Sequence, residues 1–258
     1  MSARSGAQVE VLGLNNVSKT YRNGTIAVQE ANLSIHEGEF VSFVGPSGCG
    51  KSTIFRMSAG LSSPTSGQIG ILGGTPEQAR RSNSISCVFQ EATLLPWVSV
   101  RDNIALPLQL RKQPRKRQLE EAERVLQLVG LQDYAKALPR ELSGGMKMRV
   151  SIARALVAKP RILFMDEPFG ALDEITRQTL QEELLTIWQK TERMTILFVT
   201  HNAFEAVYLS NRIMVMTPRP GRISNEISID VPYPRGERFR ELPDFSRYVS
   251  LVSESLRH

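Results

Sequence analysis

Residues 45–53 have the composition and spacing of a loop that binds phosphate. They read GPSGCGKST and fit the Walker A pattern, in which two glycines separated by four residues precede Lys-Ser or Lys-Thr. Glycines let the backbone curl without a side-chain clash, so that successive N–H groups can point at phosphate oxygens. In this pattern Lys51 reaches the β and γ phosphates, and the Ser52 hydroxyl coordinates Mg²⁺.

Two adjacent carboxylates suit the hydrolysis of a bound phosphate anhydride. Asp166 and Glu167 follow the apolar residues 162–165, which is the layout of a Walker B strand. Asp166 would hold Mg²⁺ through water, and Glu167 can orient or deprotonate the attacking water. A purely structural role is disfavoured, because burying uncompensated charge costs free energy.

Three further side chains could contact a nucleotide. Gln90 and His201 follow short apolar stretches, and the carboxyl ends of such strands are where α/β sheets bind ligands. Gln90 could meet Mg²⁺ or the attacking water, and His201 could bond a γ-phosphate or the water. Tyr21 could stack on an adenine ring. A solvated loop glutamine, a structural histidine and a half-buried tyrosine at a strand end are the respective alternatives.

A second anion site is predicted at residues 142–146, which read LSGGM before a helical stretch. Ser143 suits the N-cap position, and the two glycines after it leave backbone N–H groups bare. A nucleotide bound at the phosphate loop 45–53 needs no second anion site from the same chain. We therefore expect residues 142–146 to complete the nucleotide site of another subunit.

The elements that must position these residues alternate between strands and helices. A buried strand at 39–44 and a helix at 53–59 flank the phosphate loop, and residues 91–160 contain helical but no strand patterns. Residues 231–258 form a polar tail with a short apolar pattern. The other predicted strands are 9–17, 25–28, 31–35, 68–72, 84–89, 161–167, 195–199, 211–216 and 222–229. The other predicted helices are 118–129, 176–190 and one that follows residues 142–146 and runs to about residue 158.

Composition excludes several classes of protein. The chain has 258 residues, 41% of them hydrophobic and 22% charged, which is typical of a globular domain and not of disordered or fibrous proteins. Two cysteines make no disulfide framework and favour a reducing cytoplasm. With no signal-peptide pattern and no apolar run of about 18 residues, we expect a chain that is soluble when alone.

Charge and exposed apolar residues bear on partners. The net charge of +6 is modest and scattered, and the basic run at 111–117 is interpreted as a solvated face, so nucleic acid is not indicated. Two leucines and Trp97 in the predicted loop 91–98 imply either burial or a membrane-protein partner.

Together these motifs resemble the ATP-binding subunit of an ABC transporter over residues 9 to 230. The resemblance implies an α/β fold, a P-loop NTPase of the ABC nucleotide-binding type with an antiparallel β subdomain and a helical insert. The ATPase domain would span 1–230 with its helical subdomain at about 91–160, and 231–258 would be a C-terminal extension. In that family two domains sandwich two ATP molecules, each Walker A facing the partner's signature.

The resemblance also assigns the residues and the cofactors, which are ATP and Mg²⁺. Glu167 and His201 would be catalytic, with Asp173 in the D-loop. The ATP-binding residues would be Tyr21, Gly45, Pro46, Ser47, Gly48, Cys49, Gly50, Lys51, Ser52, Thr53 and Gln90. The metal would be held by Ser52, Gln90 and Asp166. The signature that faces the partner's ATP would be Leu142, Ser143, Gly144, Gly145 and Met146.

The stretches 95–97, 142–146, 168–173 and 217–222 make the chain most similar to the importer ATPases for nitrate, sulfonates, taurine and bicarbonate. Importers of thiamine-precursor pyrimidines share these features. Met146 stands where glutamine is usual in the signature, and Gly170 where the D-loop commonly has serine. The implied partners are a membrane permease, a second ATPase subunit that is identical or related, and indirectly a solute-binding receptor. The implied location is peripheral, on the cytoplasmic face of the inner membrane. A soluble ABC protein acting on nucleic acid is the alternative, although such proteins generally carry two cassettes or a long coiled coil.

Overall fold

A computed structural model describes residues 9–191 and 193–257, which form two β-sheets and the helices around them. The strands are β1 (Glu10–Thr20), β2 (Ile26–His36), β3 (Phe40–Val44), β4 (Ser66–Ile71), β5 (Ile85–Phe89), β6 (Ile162–Asp166), β7 (Thr195–Thr200), β8 (Arg212–Met216) and β9 (Ile223–Ser228). The α-helices are α1 (Lys51–Ser58), α2 (Pro76–Arg81), α3 (Val100–Leu110), α4 (Arg115–Leu128), α5 (Gly144–Leu156), α6 (Glu174–Lys190), α7 (Ala203–Leu209) and α8 (Pro243–Ser255). The predicted strands and helices are confirmed with small shifts of their ends, except that the two strands expected at 25–28 and 31–35 form the single strand β2. Helices α2, α3, α7 and α8 were not predicted.

The larger sheet aligns the carboxyl ends of its parallel strands along one edge. Its order is β5-β6-β7-β3-β8-β9, with β9 antiparallel to β8 and the other pairs parallel. Asp166 pairs with Phe89 on one side and with Val199 on the other, and Thr200 pairs with Val44. The loops that follow these strands therefore emerge together, at the edge where α/β sheets bind ligands.

Strand β3 separates two hydrophobic cores. All five of its residues are buried, and successive side chains of a strand point to opposite faces. Phe40 and Val44 join a core with the helical region and the C-terminal helices, while Val41 and Phe43 join a core beneath the smaller sheet. Because both faces are covered, the strand is apolar almost throughout.

The smaller sheet is antiparallel, in the order β2-β1-β4, and confirms the predicted antiparallel subdomain. It shares its core with α1, whose Ile54, Phe55 and Met57 are fully buried. The Phe55 ring makes edge contacts with Phe164 and Phe89 at 5.7 Å between centroids. These contacts fix α1 against β6, so the phosphate loop lies next to the strand that carries the carboxylates.

Residues 91–160 contain three α-helices and two short 3₁₀ helices but no strand, so the helical insert is confirmed. Helix α3 contacts both α4 and α5, and Ile104, Val125 and Leu126 are fully buried between them. None of the helices in 9–191 and 193–257 is both long and apolar enough to cross a membrane.

The described part of the C-terminal segment, residues 231–257, packs on α7. Phe239, Phe245 and Val252 belong to the same hydrophobic core as α7 and β8. Arg235 is 4% exposed, and its guanidinium stacks on the ring of Tyr233. The domain boundary expected at residue 230 stays a prediction, and the segment beyond it shares a core with the residues before it.

Candidate active site

The phosphate loop connects β3 to α1 in a conformation that needs its glycines. Gly48 and Gly50 have φ values of +77° and +102°, a backbone region that residues other than glycine rarely adopt. A Cβ on Gly50 would lie 2.5 Å from the Ala27 carbonyl oxygen. Gly50 is also the N-cap of α1, so the loop ends where the positive end of the helix dipole begins.

Lys51 places its charge inside this loop. Its ammonium donates to the carbonyl oxygens of Gly45 at 2.7 Å and Pro46 at 3.0 Å, and the residue is 5% exposed. A buried ammonium surrounded by the loop that carries it is positioned to meet an anion bound there.

Ser52 and Asp166 meet beside the loop, although 114 residues separate them. The Ser52 hydroxyl donates to Asp166 Oδ1 at 3.1 Å. Burial raises the pKa of Asp166 and the adjacent Glu167 charge adds to this, while the Ser52 hydrogen bond and the charges of Arg56 and Lys51 oppose it. A carboxylate that is costly to ionise when alone gains from a cation at this point.

Glu167 and His201 form a second pair at the same sheet edge. His201 Nδ1 lies 3.1 Å from Glu167 Oε2, and the two side chains are 59% and 25% exposed. Glu167 has a φ of +46°, which is strained for a residue with a side chain, and its N–H donates to Val199 at 2.9 Å. The strand pairing holds the backbone while the turn directs the carboxylate out of the sheet.

Gln90 follows β5 directly, and its amide lies beside Gly170. A Cβ on Gly170 would lie 3.2 Å from Gln90 Nε2 and 3.4 Å from the Glu167 carbonyl oxygen. The departure from serine at this position therefore gives the Gln90 side chain room to approach the loop after Glu167.

Tyr21 lies at the end of β1, beside α1. It is 42% exposed, and its hydroxyl is 3.2 Å from Thr53 Oγ1, the last residue of the phosphate motif. The ring is thus both near the nucleotide motif and accessible, as stacking on a base requires.

The signature lies at the start of α5. Ser143 is its N-cap and accepts from the Met146 N–H at 3.3 Å, as predicted. A Cβ on Gly145 would lie 2.5 Å from Thr176 Cγ2, so this glycine permits close packing on α6. No hydrogen bond of residues 142–146 within the described part of the chain reaches the phosphate loop. Ser143 and Gly144 are exposed.

The D-loop residue Asp173 acts within this chain as the N-cap of α6. Its carboxylate accepts from the Thr176 N–H at 2.9 Å, and this hydrogen bond lowers the pKa of Asp173. Met146 uses its backbone for the Ser143 cap while its side chain packs against the main core, so the departure from glutamine leaves the cap intact.

A brace on the phosphate loop is one feature that the motifs did not identify. Arg219 Nε donates to the Gly48 carbonyl at 2.9 Å. Gly221 exchanges hydrogen bonds with β2, donating to Ala27 at 3.3 Å and accepting from Gln29 at 2.9 Å. The stretch 217–222 reads TPRPGR and belongs to none of the nucleotide-binding motifs, so the sequence did not indicate this contact.

A buried carboxylate is another such feature. Glu205 is 6% exposed and lies four residues after His201. Together with Glu167, His201 and Arg177 it lines a cavity of about 50 Å³. An acidic residue in the first turn of a short helix gave no functional signal by itself, because this is where carboxylates commonly stabilise helices.

Comparison with known proteins gives one family. The sequence matches the family model described as ABC transporter over residues 28–170. It is 41% identical to the nitrate import ATP-binding protein NrtD of Synechocystis sp., over 96% of this chain and 95% of that protein. It is 44% identical to the aliphatic sulfonates import ATP-binding protein SsuB of Bacillus cereus, over 90% and 92%. It is 42% identical to an uncharacterized ABC transporter ATP-binding protein of Methanocaldococcus jannaschii, over 95% and 91%.

Two solved structures of ATP-binding cassettes superpose on this chain. The ATP-binding cassette MJ0796, in a dimeric post-hydrolysis state with ADP and Pi, superposes with a TM-score of 0.75 at 32% identity, over 86% of this chain and all of that one. CbiO1 from Clostridium perfringens, part of an ABC transporter complex, gives a TM-score of 0.79 at 25% identity, over 95% and 96%.

Proposed function

Because this chain belongs to the ABC transporter family and is an ATP-hydrolysing domain, we propose that it powers the import of a small anionic solute through a membrane permease. The solute class is that of nitrate, sulfonates, taurine and bicarbonate. The observation that carries the hydrolytic part is the convergence of Lys51, Ser52, Asp166, Glu167 and His201 at one sheet edge.

Each side chain has a role that follows from its position. Lys51 and the loop amides bind the phosphates, because the loop forms a concave set of donors. Glu167 accepts the proton of the attacking water, since its carboxylate is partly exposed at the site. His201 bonds the γ-phosphate and is held against Glu167. Tyr21 stacks on the adenine.

The donor set beside the loop fits Mg²⁺. Ser52 Oγ and Asp166 Oδ1 are hard oxygen donors 3.1 Å apart, and residues 9–191 and 193–257 contain no cluster of three His, Cys, Asp or Glu that could hold a metal. Mg²⁺ suits such a sparse site, because it usually keeps waters and takes phosphate oxygens as ligands. Ser52, Gln90 and Asp166 would hold the ion, which would neutralise charge on the phosphates.

The signature supports a dimer. Ser143 and Gly144 are exposed at a helix N-terminus, where backbone N–H groups attract phosphate. We assign this site to the nucleotide bound by a second ATPase subunit, identical or related. The dimeric state of the MJ0796 cassette with ADP and Pi supports this arrangement.

The permease is assigned to the surface after Gln90. Trp97 is 75% exposed. An exposed tryptophan suits a protein interface, where aromatic residues are enriched, and this loop directly follows the proposed nucleotide contact of Gln90. The chain would then be peripheral, at the cytoplasmic face of the inner membrane. The names of the nitrate and sulfonate relatives support the solute class.

Copurification from the native cell tests this function. The tagged chain is extracted with mild detergent, and its partners are identified by mass spectrometry. We expect a polytopic permease, and uptake of labelled nitrate, taurine, an alkanesulfonate or bicarbonate that is lost on deletion of the chain. Ribosomal or nucleic-acid partners without a membrane protein would overturn the proposal, and uptake of a pyrimidine instead would overturn the solute class.

A surface variant tests the docking site. Trp97→Ala should lose the permease while retaining ATPase activity. Leu242→Ala, which removes another exposed apolar side chain, should retain both. Equal permease recovery from the two variants would contradict the assignment of the surface after Gln90.

A further inference from the structure

The buried carboxylate of Glu205 connects the residues on both sides of His201. Thr200 Oγ1 donates to Glu205 Oε2 at 2.6 Å, and the same oxygen of Thr200 accepts from the Asn202 N–H at 3.0 Å. Thr200 is 1% exposed. The residues immediately before and after His201 are therefore linked to one buried carboxylate, Thr200 directly and Asn202 through the Thr200 hydroxyl.

The same carboxylate faces the loop that follows Glu167. Arg177 Nε lies 3.6 Å from Glu205 Oε1. The Arg177 guanidinium also donates to the carbonyl oxygens of Phe169 at 3.3 Å and Leu172 at 2.8 Å. Burial raises the pKa of Glu205, and the Thr200 hydrogen bond and the Arg177 charge oppose that rise. Glu205 thus links the two loops that carry Glu167 and His201.

Gln181 extends this link to the C-terminal segment. Its Nε2 donates to Glu205 Oε1 at 3.3 Å, and its Oε1 accepts from Arg240 Nη2 at 3.0 Å. Gln181 is 3% exposed. An amide has a donor end and an acceptor end, and the arginine can only donate. Arg240 therefore keeps the donor end of Gln181 directed at Glu205.

Arg240 is itself fixed. Its guanidinium donates to Glu182 at 2.6 Å and lies 3.5 Å from the centroid of the Tyr208 ring on α7. Arg235, five residues earlier, donates to the carbonyl oxygens of Val207 and Ser210 at 3.0 and 2.7 Å. The C-terminal segment thereby holds α7, the helix that begins two residues after His201.

We propose that Arg240, Gln181 and Glu205 are positioning residues through which the C-terminal segment sets the orientation of His201 against Glu167. This inference rests on the proposed role of His201 in hydrolysis. Without Arg240 the buried Gln181 Oε1 loses its donor, so the amide is no longer held in the orientation that directs Nε2 at Glu205. The loss of Arg240 should therefore disturb the contacts around His201 and leave the phosphate loop unchanged.

The test compares Arg240→Ala with Arg238→Ala, which removes an exposed arginine from the same short 3₁₀ helix. We expect Arg240→Ala to lower kcat about 2- to 30-fold, the range for mutations that act through such networks. The KM for ATP should change less than twofold, and Arg238→Ala should change neither parameter.

A spectroscopic readout separates positioning from a general loss of structure. The chain has three histidines, His36, His201 and His258, so a histidine imidazole NMR spectrum resolves them, and His201→Ala identifies the His201 signal. Arg240→Ala should shift that signal and leave His36 in place, and Arg238→Ala should shift neither.

Gln181→Met removes the middle residue of the same series of contacts. It replaces Arg240→Ala as the test variant if Arg240→Ala does not fold. The double variant Arg240→Ala/Gln181→Met should be no slower than the slower single variant, since coupled residues are not additive. Additive losses, an unshifted His201 signal or an unchanged kcat would each overturn the inference. Normal turnover by His201→Ala would instead overturn the proposed role of His201.

Discussion

Replacing Gly221 with alanine should weaken ATP binding, although Gly221 lies outside every nucleotide-binding motif. A Cβ at this position would lie 1.8 Å from the Cys49 carbonyl oxygen of the phosphate loop and 2.8 Å from that of Ala27. Both atoms belong to the backbone, so no side-chain rotation relieves the clash. Hydrogen bonds to Ala27 and Gln29 fix Gly221 on both sides, and the phosphate loop must therefore move.

The expected loss follows from the cost of overpacking. An extra carbon in a tightly packed site costs about 1–3 kcal/mol. If the displaced loop must return to this clash in order to bind phosphates, that cost appears in the binding free energy. It corresponds to about a 5- to 150-fold higher Kd for ATP.

The measurement is a fluorescence titration with a labelled ATP on the isolated chain, with thermal unfolding recorded in parallel. Gly70→Ala is the matched control, because a Cβ there meets no atom within 4 Å and the φ of Gly70 is not positive. A Kd for Gly221→Ala within twofold of the wild type would refute the reasoning, and so would an equal loss for Gly70→Ala.

Three further variants test the site and the C-terminal segment. Glu167→Gln should leave ATP binding intact and lower turnover about 10²- to 10⁴-fold, the usual contribution of a general base; near-normal phosphate release would contradict that role. Asp166→Asn should stabilise the nucleotide-free chain, because burial raises the pKa of Asp166 and its ionised form opposes folding. This gain should be absent below the ordinary pKa of aspartate, grow as the pH rises through the raised pKa and then stay constant, which melting curves at several pH values would check. Arg235→Met removes hydrogen bonds to five backbone carbonyls, four of them buried, and should cost about 3–5 kcal/mol, lowering Tm by about 6–20 °C. Arg238→Met should leave Tm within about 2 °C of the wild type, and equal melting of these two variants would contradict the anchoring role of Arg235.

Elements with a strong periodic pattern were predictable. The apolar stretches of β3, β6 and β7 were assigned as strands, and the sheet joins them as neighbours. Helix α6 was expected from leucines at helical spacing, and Leu180 and Leu184 are buried. These assignments succeed because strand and helix periods differ and each shows within one short stretch.

Three of the four helices that escaped prediction are short or carry contrary signals. Helix α7 has seven residues, too few for a periodic pattern to stand out. Helix α3 contains Pro107, which normally ends a helix. Helix α2 has six residues, although Thr75 and Gln78 form a capping box that a closer reading of its start could have used.

The chemistry of the candidate site was predictable from the sequence, because its motifs are local. The glycines, Lys51 and Ser52 adjoin one another in the chain, and the acidic pair ends its own strand, so residue type and spacing were enough to predict a phosphate loop and a metal-binding carboxylate. The functional roles of these residues remain predictions that the variants above test.

The distant residues that support this chemistry could be identified only in the folded chain. Arg219 meets Gly48 across 171 positions, and Arg240 meets Gln181 across 59. Such contacts depend on how strands are ordered in the sheet and how the C-terminal segment packs on α7. No local sequence pattern distinguishes Arg219 or Gln181 from other arginines and glutamines, because the partner that gives each its role lies elsewhere in the chain.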